Sequence, residues 1–385
     1  MPFQPSSMKI ISVDDHLIER PNLWLDRLPT KDHEAAPRVV NAGRLDFWVY
    51  EDRAEVYGPG LGAAAGRPVE EWSMQGIGMA EIAPGCIDPG ERIKDMDIDG
   101  VWAALNFPTF SRFAGTRFLE FRDKELALRC VRAYNDFVFD EWCAAAPDRF
   151  IPFCILPLWD PKLAAAEVER VADRGARSVG FPDGVETLGL PSWHTGYWDP
   201  VFAAAAACDL PLSSHIGTGQ RPSPVSKDAP GRRQSGSQVC PANSALNGLG
   251  SFVMVTDLTF SHVFHKFPNL KIALSEGGIG WISYIKERMD YVWERQKHWA
   301  GVADVRPSSL FDKHFWGCFI DEEVGLRERH AIGINNIMLE IDYPHSDTTW
   351  PHTQKRVSEL MVNVPDDEAH RIVELNARDL YRFPG

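Results

Sequence analysis

Eight short apolar runs recur along the 385-residue chain, and they constrain its fold more than any other feature. They are KIISVD (9–14), GVWAALNF (100–107), FIPFCIL (150–156), RSVGFPD (177–183), LPLSSHI (210–216), LKIALSE (270–276), HFWGCFID (314–321) and NIMLEID (336–342). Most are rich in β-branched or aromatic residues, as strands are. Most intervals carry apolar residues at helical spacing, as in DKELALRCVRAYNDFVFDEWCAAAP, KLAAAEVERVADRG and YWDPVFAAAAACD. SALNGLGSFVMVTDLTFSHVFHKFP follows the same rule and stops at Pro268. Eight strands alternating with helices predict an α/β fold of the (β/α)8 TIM-barrel type. An open doubly wound sheet is the rival, but no G-x-G-x-x-G follows a strand to give it a dinucleotide site.

One such barrel can fill residues 1–385, and 44% hydrophobic residues are ample for its core. The first interval breaks the rhythm. Residues 17–98 are far more than one helix needs, and WVYEDRAEVYGPGLGAAAGRPVEEW reads as a small strand-and-loop insertion, a lid or subunit contact. The loop 216–244 after the fifth run is rich in Gly, Pro and Ser, and loops of that length usually carry function or move. A net charge of −14 with no basic patch argues against nucleic-acid and anionic-membrane partners. Seven scattered cysteines without a CxxC pair fit a reducing cytoplasm, and no apolar run approaches a membrane span.

In a barrel of this kind the chemistry sits at the carboxyl ends of the strands. The run ends here carry Asp14 and His16, His215, Glu276, Asp321, and Asp342 followed by His345. Side chains alternate along a strand, so Asp14 and His16 share one face while Asp15 points away. Each residue alone has an ordinary reading as a cap, a turn former or a core histidine. Their convergence on one mouth points instead to ligands of a hard or borderline divalent metal. His262 and His265 fall at the opposite end of the barrel and read as structural, as do His330 and His370 in helical segments.

The segments KDMDIDGV (94–101), AAAPDRF (144–150), LPLSSHIGTG (210–219), FPNLKIALSEGGIGW (267–281) and LEIDYPHSDTTWP (339–351) resemble the amidohydrolase-related family, in the branch of aminocarboxymuconate-semialdehyde and γ-resorcylate decarboxylases. The likeness runs through nearly the whole chain in order. It implies a metal-dependent barrel with ligands at Asp14, His16, His215 and Asp342. Decarboxylating members usually have a catalytic histidine where this chain has Glu276, and Asp14 stands where others have histidine. Two such replacements harden the site and shift its preference from zinc towards iron or manganese.

Three functions are consistent with these residues. The favoured expectation is a non-haem dinuclear Fe/Fe or Fe/Mn monooxygenase, since a few relatives in the branch are of that kind. Glu276 and His345 would then hold the second ion, with Asp321 or His352 as further candidates, and an external reductase would supply electrons. The alternative is a mononuclear hydrolase or non-oxidative decarboxylase of a small carboxylic acid, in which Glu276 or His345 moves the proton. The third is an inactive barrel kept as the companion of an active paralogue. Trp48, Phe107, Phe110, Phe113 and Trp193 are candidate pocket aromatics; packing is the commoner role. Arg221, Arg232 and Arg233 could grip a carboxylate or phosphate, with solvated surface the commoner role. The amphipathic segment 280–299 suits packing or a subunit interface, and a homo- or hetero-oligomer is the default expectation.

Overall fold

The computed structural model describes residues 8–43, 46–56, 60–72, 78–219, 221–232 and 240–384. Its eight principal strands coincide with the eight apolar runs: β1 (Ile10–Leu17), β2 (Val101–Pro108), β3 (Phe150–Ile151 with Phe153–Cys154), β4 (Ser178–Gly180), β5 (Leu212–His215), β6 (Ile272–Ser275), β7 (Phe315–Phe319) and β8 (Ile337–Leu339). All pair in parallel, each with its sequence neighbour.

Two junctions turn these ladders into a ring. Pro152 interrupts β3, because it has no amide to give the ladder, yet its carbonyl still accepts Arg177 N at 2.8 Å. At the seam between the first and last strands, Asp342 N donates to Asp14 O at 2.8 Å and His16 N donates to Tyr343 O at 2.6 Å. Helices return the chain between strands, and their starts are written locally. Asp88, Asp123 and Asp160 cap α1 (Pro89–Asp99), α2 (Lys124–Phe137) and α3 (Pro161–Asp173) by accepting amides of the first turn. The stretch expected as one helix over 244–268 is broken. Its main helix is Leu249–Thr259, with a separate turn at Val263–Lys266.

The chain between β1 and α1 forms a three-stranded antiparallel sheet of Arg38–Asn41, Asp46–Tyr50 and Arg53–Val56. Trp24, Trp48 and Tyr50 pack there against Phe110 and Phe121, with Trp48 4.3 Å from Phe110 and Tyr50 stacked 5.2 Å from Phe121. Trp48 and Phe110 are therefore core residues, packed where the insertion meets the loop after β2. Trp193 is also buried and donates to Asp257. In the helix Ile282–Ala300, Ile282, Ile285 and Met289 are buried while Tyr284, Tyr291 and Trp299 face solvent.

Candidate metal centre

Every residue of β1 is buried, including three that should resist it. Asp14 and His16 are fully inaccessible, and Asp15 is 2% exposed. Asp15 turns away, as alternation requires. It accepts Ser12 Oγ at 2.7 Å and lies 3.5 Å from Arg92, a guanidinium that is itself fully buried. Burial is the larger influence and pushes Asp15 up to about 7.

Asp14 and His16 face the barrel axis, and the other strand ends bring partners to them. His16 Nε2 lies 3.4 Å from Asp14 Oδ1 and 3.0 Å from Asp342 Oδ1. His215 Nε2 lies 3.3 Å from Asp14 Oδ2 and 3.4 Å from Glu276 Oε2. His345 Nδ1 lies 2.9 Å from Asp342 Oδ1, and its ring stacks on His16 at 3.6 Å. Two donor groups result, Asp14–His16–His215 and His16–Asp342–His345, joined through His16.

These atoms are close without being satisfied. Both carboxylate oxygens of Asp14 and of Asp342, and Nε2 of His16 and His215, are buried and make no hydrogen bond. Leaving so many polar atoms bare costs several kcal/mol unless a ligand takes them up. Separations of 3.0–3.4 Å match the edges of a coordination shell whose ligands sit roughly 2.0–2.2 Å from one ion. The His215 ring is already aimed: Nδ1 contacts Ile216 O at 2.8 Å, which leaves Nε2 free to ligate. Without a cation the groups resist charge. Burial first, then Glu340, Asp342 and Glu276, pushes Asp14 well up. Burial holds His16 well down, His215 down to about 3 and His345 down to about 4. A divalent cation would reverse these preferences, so the residues fit one.

Glu276 stands slightly apart, outside both donor groups, with its side chain 15% exposed at the cavity edge. Its backbone is left-handed at φ +55°, as is that of Asp342 at +58°, conformations that cost energy in non-glycine residues. Glu340 holds the first of them: both its carboxylate oxygens accept the Glu276 amide, at 3.0 and 3.1 Å. The sequence reading missed Glu340. Its signal was an acid inside the apolar run NIMLEID.

Asp342 and His345, with Glu276, line a cavity of about 470 Å³, and the other donors lie buried beside them. Leu61 and Gly62 of the insertion, Gly217 and Thr218 after β5, and Arg112 and Phe113 after β2 line it. Phe113 lies 4.0 Å from the His215 ring and 4.7 Å from His16, with Phe107 buried behind the histidines. Other candidates stay outside the two donor groups. Asp321 is engaged by Arg356 at 2.6 Å, and His352 is exposed; neither joins the donors. Arg221 donates to Asp183 O after β4 and lines an adjoining cavity with His215, Phe113 and Glu276, Arg232 donates to Ser223 Oγ in its own loop, and Arg233 lies outside the described residues. His262, His330 and His370 each sit beside a carboxylate away from the cavity, the structural role expected of them.

Comparison with known proteins corrects the leading functional expectation. The amidohydrolase family model matches residues 80–383. A γ-resorcylate decarboxylase from Polaromonas sp. (strain JS666) is 30% identical over 270 residues, covering 66% of this chain and 76% of its own. An amidohydrolase from Mycobacterium avium subsp. paratuberculosis K-10 superposes with a TM-score of 0.72 at 21% identity, covering 97% of this chain and 99% of the other. A dihydroxybenzoic acid decarboxylase from Polaromonas sp. JS666, solved with manganese and 2-nitroresorcinol, gives a TM-score of 0.66 at 20% identity and 97% coverage of each chain. These relatives are decarboxylases or carry only the family name, which overturns the expectation of a dinuclear iron monooxygenase served by a reductase. In the structure both donor groups share His16, Glu276 lies outside them, and Asp321 is paired with Arg356. None of these relatives is named as an inactive companion subunit. The chain belongs to the amidohydrolase family, in its aminocarboxymuconate-semialdehyde decarboxylase-like branch.

Proposed function

We propose that this chain is a metal-dependent, non-oxidative decarboxylase of an aromatic acid carrying a hydroxyl beside its carboxylate. The observation that carries the reading is the set of orphaned carboxylate and imidazole atoms that reaches a ring-sized cavity at Asp342. The names of the relatives supply the reaction. Asp14, His16, His215 and Asp342 would hold one divalent ion, and a shell half of carboxylate favours manganese over a softer site's zinc. When bound, that ion supplies positive charge beside the substrate's carboxylate and phenol oxygens.

The remaining steps fall to this chain's side chains. Phe113 offers a flat apolar wall for the ring. Glu276 carries the proton. Burial, with Asp342 beside it, pushes its carboxyl well up in the absence of a cation. It gives that proton to the ring carbon as the carbon–carboxylate bond breaks. Carbon dioxide leaves, and solvent at the exposed edge of Glu276 returns the proton. His345, held neutral by burial, keeps its contact with Asp342.

The test is release of carbon dioxide from 2,6-dihydroxybenzoate by manganese-loaded protein under strict anaerobiosis. Turnover without oxygen is expected. A requirement for oxygen, or release of hydroxylated product with the carboxylate intact, would sink the reading.

A further inference from the structure

The turn that ends β6 is strained where it need not be. Glu276 takes a left-handed backbone at φ +55°, although Gly277 and Gly278, which adopt such angles freely, follow it directly. Sliding the register by one residue would drive a side chain into Ser251, since a Cβ at position 277 would lie 2.7 Å from its Oγ. A side chain is therefore kept where glycine would be easier, and it brings a carboxylate to 3.4 Å from His215 Nε2 at the cavity edge.

Carboxylates hold this turn at both ends. Ile279 N donates to Glu322 at 2.7 Å, and the Glu276 amide donates to both oxygens of Glu340. Glu340 is 1% exposed and fixed in its turn, its own amide donating to Phe319 O at the end of β7 at 3.0 Å. Its strongest charged neighbours are Glu276, Asp342 and Glu322, all acids. Burying a carboxylate among acids is expensive, and an apolar residue would avoid the expense. What Glu340 supplies that an apolar residue cannot is an acceptor for the Glu276 amide.

We infer that Glu340 is a positioning residue for decarboxylation: it anchors the left-handed turn that aims Glu276 at the cavity, and it acts on the reaction only through Glu276. The inference rests on the proposed function, in which Glu276 moves the proton. It adds a demand of its own, that the effects of Glu340 and Glu276 on turnover are not additive.

A double-mutant cycle on manganese-loaded protein tests it. The parameters kcat and KM for 2,6-dihydroxybenzoate are measured in wild type, Glu340→Leu, Glu276→Gln and the double variant. A reacting group misplaced by about 1 Å costs on the order of 100-fold. Glu340→Leu should therefore lower kcat about 10-fold to 100-fold, with KM and manganese content unchanged. In the Glu276→Gln background the same substitution should lower kcat less than about two-fold, because the group it aims is already gone. Glu340→Gln keeps one accepting oxygen and should recover most of the loss. Glu340→Asp keeps the acid but draws its oxygens back by one methylene, and it carries the same cycle if the leucine variant does not fold. Equal losses in the two backgrounds, an unchanged kcat, or loss of manganese overturn the inference and leave the decarboxylase reading intact. Absence of turnover by the wild type removes that reading instead. A crystal structure of the Glu340 variant then decides alone: the inference requires Glu276 to leave both its left-handed angle and its place beside His215, and an unmoved turn overturns it.

Discussion

Histidines meet carboxylates at two ends of this barrel, with opposite results. At the outer and lower surface several histidines have one acid beside them and solvent around them, as in His262 with Asp199 at 3.0 Å and His370 with Glu374 at 3.0 Å. At the mouth, His16, His215 and His345 crowd against Asp14, Asp342 and Glu276 at similar distances, and their facing atoms make almost no hydrogen bonds. The residue types are the same. The difference is that surface pairs are completed by solvent, whereas the buried set is complete only around something else.

The sharpest way to break this contrast is to remove a mouth ligand. His215→Ala should lower affinity for manganese by at least about 100-fold, beyond the loss typical of residues behind the ligands, and abolish decarboxylation. Metal analysis after dialysis reads it directly, and full retention of manganese would refute the assignment of the donor set. Next in size is Glu276→Gln. If Glu276 carries the proton, kcat should fall about 10²-fold to 10⁴-fold with metal content unchanged. Loss of the metal together with kcat would make Glu276 a ligand instead.

A third prediction concerns a buried histidine that has its partner. His314 is 1% exposed, contacts Leu270 O through Nδ1 at 2.7 Å and stacks on Phe264. Burial holds it down to about 4, below the ordinary histidine value of 6.5. The unfolded chain therefore binds the proton first as pH falls. The stability His314 contributes is intact above about pH 6.5 and is lost between there and about pH 4. His314→Phe should lose less melting temperature over that window than wild type, and identical pH profiles would contradict this. The smallest effect belongs to the surface: His262→Ala should change unfolding free energy in urea by no more than about 0.5 kcal/mol and leave manganese binding untouched.

The strand ends were legible because a barrel makes the position of a residue in its run equivalent to its height in the molecule. Asp14, His16, His215 and Asp342 followed from that rule and from the family likeness. What stayed hidden is backbone geometry. Nothing in SEGG or EIDY announces that Glu276 and Asp342 take left-handed angles, since glycine is the residue expected there. Buried acids that grip backbone amides were hidden for the same reason. Glu340 under the Glu276 amide and Glu19 under Thr109 to Ser111 have partners set by folding, not by neighbours in sequence. Glu276 was found, and a carboxylate in place of histidine suggested a second ion; the structure sets it 3.4 Å from His215 with its side chain 15% exposed, outside the two donor groups.

The seam between β1 and β8 has a consequence for how such a protein comes into being. Asp14 and His16 leave the ribosome early, and Asp342 more than three hundred residues later; the amide bonds at the seam, Asp342 N to Asp14 O and His16 N to Tyr343 O, bring them together. The donor set therefore does not exist on a growing chain. Metal capture by the whole set therefore requires that the first strand of the barrel has already found the eighth.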